Sequence, residues 1–325
     1  AYTGGTSKGN LTGLKDKVVG IIGTGATAVQ AVPHLGAGAK QLFVFQRTPS
    51  SIDVRNDTPT DPDWVSSLEP GWQRRRNENF TNLTSGVFDT EDLVNDGWTE
   101  IVGNLMLRAR KEGGLGTSLE QIGTIVENAD FEKMNQVRTR VDEIVKDPAT
   151  AEALKPWYRQ FCKRPCFHDD YLPTFNRPNV TLVDTGGLGV ERITPKGVVA
   201  NGVEYELDCL VYATGFEVGT DYARRSGYET TGSDNLTLTS KWAEGVETFH
   251  GFFSRGFPNC FLVSTAQSGF SVNFPHMLNE QAIHIAHVVK HATEAGITRI
   301  EASAQAEHDW VEDIKSNSTM NLKFL

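Results

Sequence analysis

The chain is poor in cysteine, with four in 325 residues: Cys162, Cys166, Cys209 and Cys260. They are too few and too scattered for a disulfide framework, which points to a reducing compartment and excludes the small stapled secreted scaffolds. No apolar run approaches the roughly 20 residues that a spanning helix needs, so no transmembrane segment is expected. Positive charge is scarce as well. With 31 Lys and Arg against 41 Asp and Glu, the formal charge is −10. Such a surface repels nucleic-acid phosphates and anionic lipid unless a local basic patch opposes it, and Arg74-Arg75-Arg76 is too short a run for that. Internal repeats, low-complexity tracts and an N-terminal signal segment are all lacking. The Asn-x-Ser/Thr triplets at Asn79 and Asn82 therefore read as ordinary surface residues of a cytoplasmic protein.

What is present, 38% hydrophobic and 22% charged residues, describes a globular chain able to bury one large or two ordinary domains. Lys17–Ile22 and Gln41–Gln46 are short apolar runs without alternation, as expected of strands covered on both faces. Thr27–Leu35 between them reads as a helix, which makes a βαβ start. From about Asp61 to Trp157, helical periods rich in charge take over. Glu91–Lys111 and Ser118–Lys146 are expected as helices, with Pro148 ending the run, and the whole stretch reads as an inserted helical subdomain. Asn179–Val183 and Cys209–Ala213 return to the buried-strand pattern around a glycine-rich hairpin region, Gly186–Asn201. Cys260–Val263 reads as a strand leading into a long helix, Phe274–Ala295, and a second helix, Ala302–Lys315. A Rossmann-like α/β fold with a helical insertion follows.

Gly23-Thr24-Gly25-Ala26-Thr27-Ala28 lies between an expected strand and an expected helix, the setting in which G-x-G-x-x-G/A acquires meaning. Gly23 permits the tight turn, Gly25 lets backbone approach a pyrophosphate, and Ala28 allows close helix packing while N–H groups face the anion. The alternative is a glycine-rich turn without a ligand. At the end of the second strand, where NAD and FAD sites place an acid against the ribose hydroxyls, the chain reads Gln46-Arg47-Thr48. A guanidinium suits a 2′-phosphate and Thr48 adds a hydroxyl, so NADP is expected over NAD or FAD, unless Arg47 is simply a surface residue. Cys162-Lys163-Arg164-Pro165 is a second basic concentration. Neighbouring side chains in extended backbone point opposite ways, so Lys163 and Arg164 could serve different ligands. His284, His287 and His291 share a helical stripe with Glu280, but no cysteine or second acid completes a metal set, and none is expected.

Cys162-Lys163-Arg164-Pro165, Asp169-Asp170-Tyr171-Leu172 and Phe175-Asn176-Arg177-Pro178-Asn179-Val180 together resemble the core of the Baeyer–Villiger monooxygenases. Gly23–Ala28 with Gln46-Arg47-Thr48-Pro49 is similar to that family's NADP segment, Ala213-Thr214-Gly215-Phe216 to its linker motif, and Phe257-Pro258-Asn259 to its returning FAD-domain segment. The resemblance covers nearly the whole chain. It implies a flavoprotein with two dinucleotide-binding domains, in which NADPH reduces FAD, O2 adds at the flavin C4a, and the resulting peroxide attacks a ketone to give an ester or lactone. By the same resemblance Arg164 is the catalytic arginine, while Lys163, Arg47 and Thr48 hold the 2′-phosphate and Ala213, Thr214 and Gly215 join the cofactor site. The family's N-terminal G-x-G-x-x-G and its fingerprint have no counterpart here. The chain is therefore expected to be incomplete, to carry an incomplete FAD domain that does not hold FAD tightly alone, and to rely on a segment from the same gene or another chain. The expected segments are 1–60 and 158–209 for the NADP domain, 61–157 for the insertion, and 210–325 for the linker and the C-terminal part of the FAD domain. An NADP-binding module without chemistry, and a flavin-containing N- or S-monooxygenase, are the competing readings; Lys163-Arg164 favours ketone chemistry.

Overall fold

A computed structural model describes residues 11–85, 87, 91–104, 119–217, 220–264, 266–268 and 271–317. The first residues, Ala1–Gly5, and the 105–111 end of the helix expected from Glu91 lie outside them. The chain divides into two compact units, Ala1–Pro70 with Val94–Phe216, and Gly71–Leu93 with Glu217–Leu325.

The first unit is mixed α/β, built on a parallel sheet. Strand β1 (Val18–Ile22) feeds helix α1 (Ala26–Gly38), which returns to β2 (Gln41–Gln46). β1 pairs in parallel with β2 on one side and with β9 (Cys209–Tyr212) on the other, and β2 pairs in parallel with β5 (Val180–Asp184), giving the order β5-β2-β1-β9. Val19 and Ile21 of β1 and Leu42 and Val44 of β2 are fully buried, and α1 lays Ala28, Val29, Val32 and Leu35 into the same core. Each buried Val, Leu or Ile side chain contributes about 1.5–3 kcal/mol by leaving water, which explains why these runs carry no polar alternation. The run Cys209–Ala213, expected as a buried strand, forms β9, whose apolar residues find an open edge on β1.

Around the sheet, β3 (Ile52–Asp53) pairs with β4 (Cys166–Phe167), and the short helix α2 (Pro62–Ser66) follows β3. The glycine-rich region opens into an antiparallel meander of β6 (Arg192–Ile193), β7 (Gly197–Ala200) and β8 (Val203–Glu206). Residues 97–104 are helical, followed by α4 (Leu119–Ile144), α5 (Pro148–Leu154) and α6 (Tyr171–Thr174); α3 (Trp72–Thr84) belongs to the second unit. Pro148 does not end a helix but opens one. The Asp147 carboxylate accepts from the Thr150 N–H, and a proline in the first turn has no N–H to leave unpaired. Because residues 71–93 cluster with 217–325, the charged stretch from Asp61 to Trp157 is shared between the two units.

The second unit is mainly helical, with α3, α7 (Tyr222–Ser226), α8 (Leu238–Lys241), α9 (Phe274–Glu294) and α10 (Ala304–Asn317). Cys260–Val263 is not a strand. Leu262 donates one backbone hydrogen bond to Phe252, 2.8 Å, and the described residues give it no ladder. An apolar tetrapeptide is as well satisfied by packing, as Leu262 is against Leu238 and Phe257. α10 is tied down by Glu307, only 5% exposed, which accepts from Lys241 at 2.7 Å and from the Arg255 N–H at 2.7 Å. Removing Glu307 leaves the Arg255 N–H without its acceptor, while Lys241 keeps Glu247 at 3.0 Å, so Glu307→Ala should cost about 1–3 kcal/mol of stability. Chemical denaturation checks this; a loss of less than about 1 kcal/mol would mean that the pair is effectively solvated.

Candidate functional site

The carboxyl ends of β1, β2, β5 and β9 open onto a cleft of about 860 Å3, within the roughly 300–1,000 Å3 of small-molecule sites. Ile22 ends β1 and Gly23 turns the chain, with φ of +113°. A side chain at Gly23 would put its Cβ 2.3 Å from the Ala213 carbonyl oxygen, so glycine is required there for both conformation and space. At Gly25 a Cβ would meet nothing within 4 Å. Protein packing does not demand glycine at that point, whereas a ligand approaching the backbone would. Gly25 is also the N-cap of α1, and no side chain caps it. The first N–H groups of α1 therefore lack an intrahelical acceptor and face the cleft with the positive end of the helix dipole.

Two reciprocal hydrogen bonds brace this turn against the loop after β2. The Thr24 hydroxyl donates to the Thr48 carbonyl, 2.7 Å, and the Ser50 hydroxyl donates to the Thr24 carbonyl, 2.6 Å. Arg47 and Thr48 are thereby held in register with the glycine turn. The β3–β4 pairing then brings residues just before Cys166 across to the same loop. Lys163 reaches Thr48 Oγ1 in a short contact, donates to the Pro49 carbonyl at 3.3 Å, and lies 5.1 Å from the Tyr158 ring. Tyr158 is fixed in turn by donating to the Pro49 carbonyl, 3.0 Å, and burial raises its pKa to about 12. Arg164 is turned elsewhere, its guanidinium 5.8 Å from the Trp98 ring, which itself packs edge-on against Phe167. That distance is within cation–π range and steadies the charge without neutralising it.

The structure thus brings Gly23, Thr24, Gly25, Ala26, Thr27, Arg47, Thr48, Lys163, Arg164, Ala213, Thr214 and Gly215 onto one cleft. Ala28 lies behind it, fully buried in the core under β1. Among the described lining residues three are cationic and none is acidic, in a chain whose net charge is −10. Burial, and then the neighbouring Arg47 charge, lower the Lys163 pKa below the usual lysine range. Two like charges held this close in partial burial repel each other and are relieved by an anion between them. Sequence reasoning missed Ser50, Trp98, Thr185 and Leu188. The first three act through contacts across long sequence separations, and Leu188 carries no motif.

No protein-family model matches the chain. It is 56% identical over its whole length to a neopentalenolactone D synthase of Streptomyces avermitilis, covering 55% of that protein. It is 53% identical over 96% of its length to the Baeyer–Villiger monooxygenase ATR8 of Stachybotrys chlorohalonatus, covering 50% of it. The chain spans about half the length of the curated relatives it matches. The fold superposes on a polycyclic ketone monooxygenase from Thermothelomyces thermophila with a TM-score of 0.84, at 40% identity, over 96% of this chain and 52% of that one. The chain is homologous to the Baeyer–Villiger monooxygenases. Another structural neighbour, OTEMO, crystallised with FAD and NADP, matches with a TM-score of 0.71 at 28% identity, over 94% of this chain and 57% of that one. In this Baeyer–Villiger homologue, no helix among the described residues is long and apolar enough to cross a membrane.

Proposed function

We propose that the chain supplies the NADPH-binding half of an FAD-dependent Baeyer–Villiger monooxygenase, which inserts one atom of O2 into a ketone to give an ester or lactone. The observation that carries this is the basic, acid-free cleft at the carboxyl ends of β1 and β2, with an uncapped helix N-terminus at its base. Such a site fits a dinucleotide bearing an extra phosphate. The N–H groups at the start of α1 take the pyrophosphate, and Arg47, Thr48 and Lys163 take the 2′-phosphate. Thr214 and Gly215 close the cleft from β9. The same cleft does not suit FAD as its dinucleotide, since Arg47 stands where an acid would meet the ribose. FAD, when bound, supplies the electron acceptance and the oxygen chemistry. Arg164, facing away from Lys163, holds a positive charge where negative charge develops on oxygen. Polypeptide corresponding to the rest of the relatives' length completes the enzyme, whose ketone substrate and O2 meet beyond this cleft.

The test is binding by the purified chain, which should prefer NADPH to NADH; equal affinity ends the reading. Proton linkage gives a second check. A phosphate beside Lys163 returns its lowered pKa toward the usual value, so binding at alkaline pH takes up a proton. Affinity for NADPH should therefore fall as pH rises through the lowered Lys163 value, earlier than for an ordinary lysine. Lys163→Arg, which stays charged, should flatten that fall. Calorimetry between about pH 7 and pH 10 reads it; a flat wild-type profile would take Lys163 off the phosphate.

A further inference from the structure

We propose that Trp98, at the start of the helix over residues 97–104, is the positioning residue that aims the Arg164 guanidinium, so that a helix of the charged insertion governs the oxygenating half of the reaction. The proposal rests on the role given to Arg164 above. Lys163 is extended, and extended backbone sends neighbouring side chains to opposite sides. Lys163 is held by Thr48, Pro49 and Tyr158. Arg164 makes no side-chain hydrogen bond or ion pair among the described residues, and its one aromatic neighbour among them is the Trp98 ring at 5.8 Å. A long side chain without a partner samples many rotamers, so the indole is what gives this guanidinium a direction. A contact of that kind leaves the charge and its N–H donors available to a ligand.

The indole is itself fixed. The Asp96 carboxylate accepts from the Trp98 N–H, 2.9 Å, and the Thr99 N–H, 3.1 Å, while the Asp96 N–H donates back to the Thr99 hydroxyl, 3.1 Å. This reciprocal cap sets where the helix begins. Phe167 packs edge-on against the indole, and a Cβ on Gly97 would come within 2.1 Å of the Phe167 ring, so the first residue of the helix must be small. Lys133 then bridges Glu100 of the same helix, 3.0 Å, to Asp53 of β3, 2.7 Å. Asp53 is the register partner of Phe167 on β4, the strand that begins two residues after Arg164. Helix and arginine are thereby tied to one strand pair, within one compact unit.

NMR of isotope-labelled arginine in the full chain tests the geometry without flavin. The Nε–H signal that vanishes in Arg164→Ala should lie upfield, shielded by the indole face. It should move downfield in Trp98→Leu, which keeps apolar bulk without a π face, and keep most of its displacement in Trp98→Phe. In the FAD-loaded enzyme, Trp98→Leu should lower the ratio of ester to hydrogen peroxide about three- to tenfold, because the guanidinium then spends a smaller share of its time in place. Trp98→Phe should restore most of that ratio. The preference for NADPH over NADH belongs to Arg47 and Lys163 and should keep its wild-type value in both variants. An unmoved Arg164 signal or wild-type coupling in Trp98→Leu overturns the positioning role and leaves the NADPH reading standing. Equal losses in the Leu and Phe variants overturn it as well, since the indole would then only fill space. So does a lost NADPH preference in Trp98→Leu, which would make Trp98 a support of the whole cleft. A wild-type chain that does not prefer NADPH ends the reading above, and this proposal with it.

Discussion

Arg164→Ala, in the FAD-loaded, oxygenating enzyme, is expected to keep consuming NADPH while releasing hydrogen peroxide in place of ester. The guanidinium lines the cleft and stands over Trp98, and no ion pair among the described residues occupies it, so its charge is steadied yet available to a ligand. A positive group held ready where oxygen becomes negative costs no reorganisation at the moment of reaction, and losing one such donor lowers the rate of the charged step by about a hundredfold to a thousandfold. In the proposed reaction, reduction by NADPH would come before oxygen is activated and would need the nicotinamide in place more than it needs this charge. Reduction should therefore fall much less than oxygenation, and the two rates should part. Stopped-flow reduction, peroxide release and ester yield, measured on one preparation, decide the matter. Ester formation at wild-type coupling would return Arg164 to the surface of the cofactor cleft. Trp98→Ala should move the ratio in the same direction by a smaller amount, because it loosens the guanidinium without removing it.

The parts of this protein that could be read from its sequence are those whose physics is local. Val18–Ile22 and Gln41–Gln46 are apolar because both faces of a parallel sheet are covered, and the glycines between β1 and α1 answer a turn that a Cβ would block at Gly23. Pro148 shows the limit of such reading. A proline after a helical period looks like a stop, but the Asp147 cap made it a start. Cys260–Val263 has strand composition and no strand partner among the described residues. Its outcome depended on what packs beside it, which a short apolar run does not encode. The cleft divides in the same way. Arg47 follows from its place after a strand, whereas Lys163 reaches Thr48 only because β4 pairs with β3 more than a hundred residues away in sequence. Ser50 and Thr185 are small polar residues with no pattern around them. Their roles appear only when carbonyls of distant segments come within hydrogen-bond reach.

Arg47→Ala should remove most of the preference for NADPH over NADH. The side chain is exposed at the mouth of the cleft, directly after β2, and no ion pair among the described residues occupies it. A charge-assisted contact to phosphate is worth about 1.5–3 kcal/mol, which is roughly a ten- to hundredfold change in affinity. NADH lacks the 2′-phosphate, so its affinity should change little, and the loss should fall on NADPH alone. Lys163→Ala removes the second cation and should add to the effect less than independently. The two charges repel in the free protein, and deleting one relieves the other as well as weakening the phosphate site. Arg47→Glu should invert the preference, since a carboxylate at that position repels a 2′-phosphate and accepts from a ribose hydroxyl. Paired NADPH and NADH titrations of the wild type, both single variants and the double variant give the full cycle. A preference that survives Arg47→Ala intact would mean that the 2′-phosphate lies elsewhere, and that the basic cleft serves some other anion.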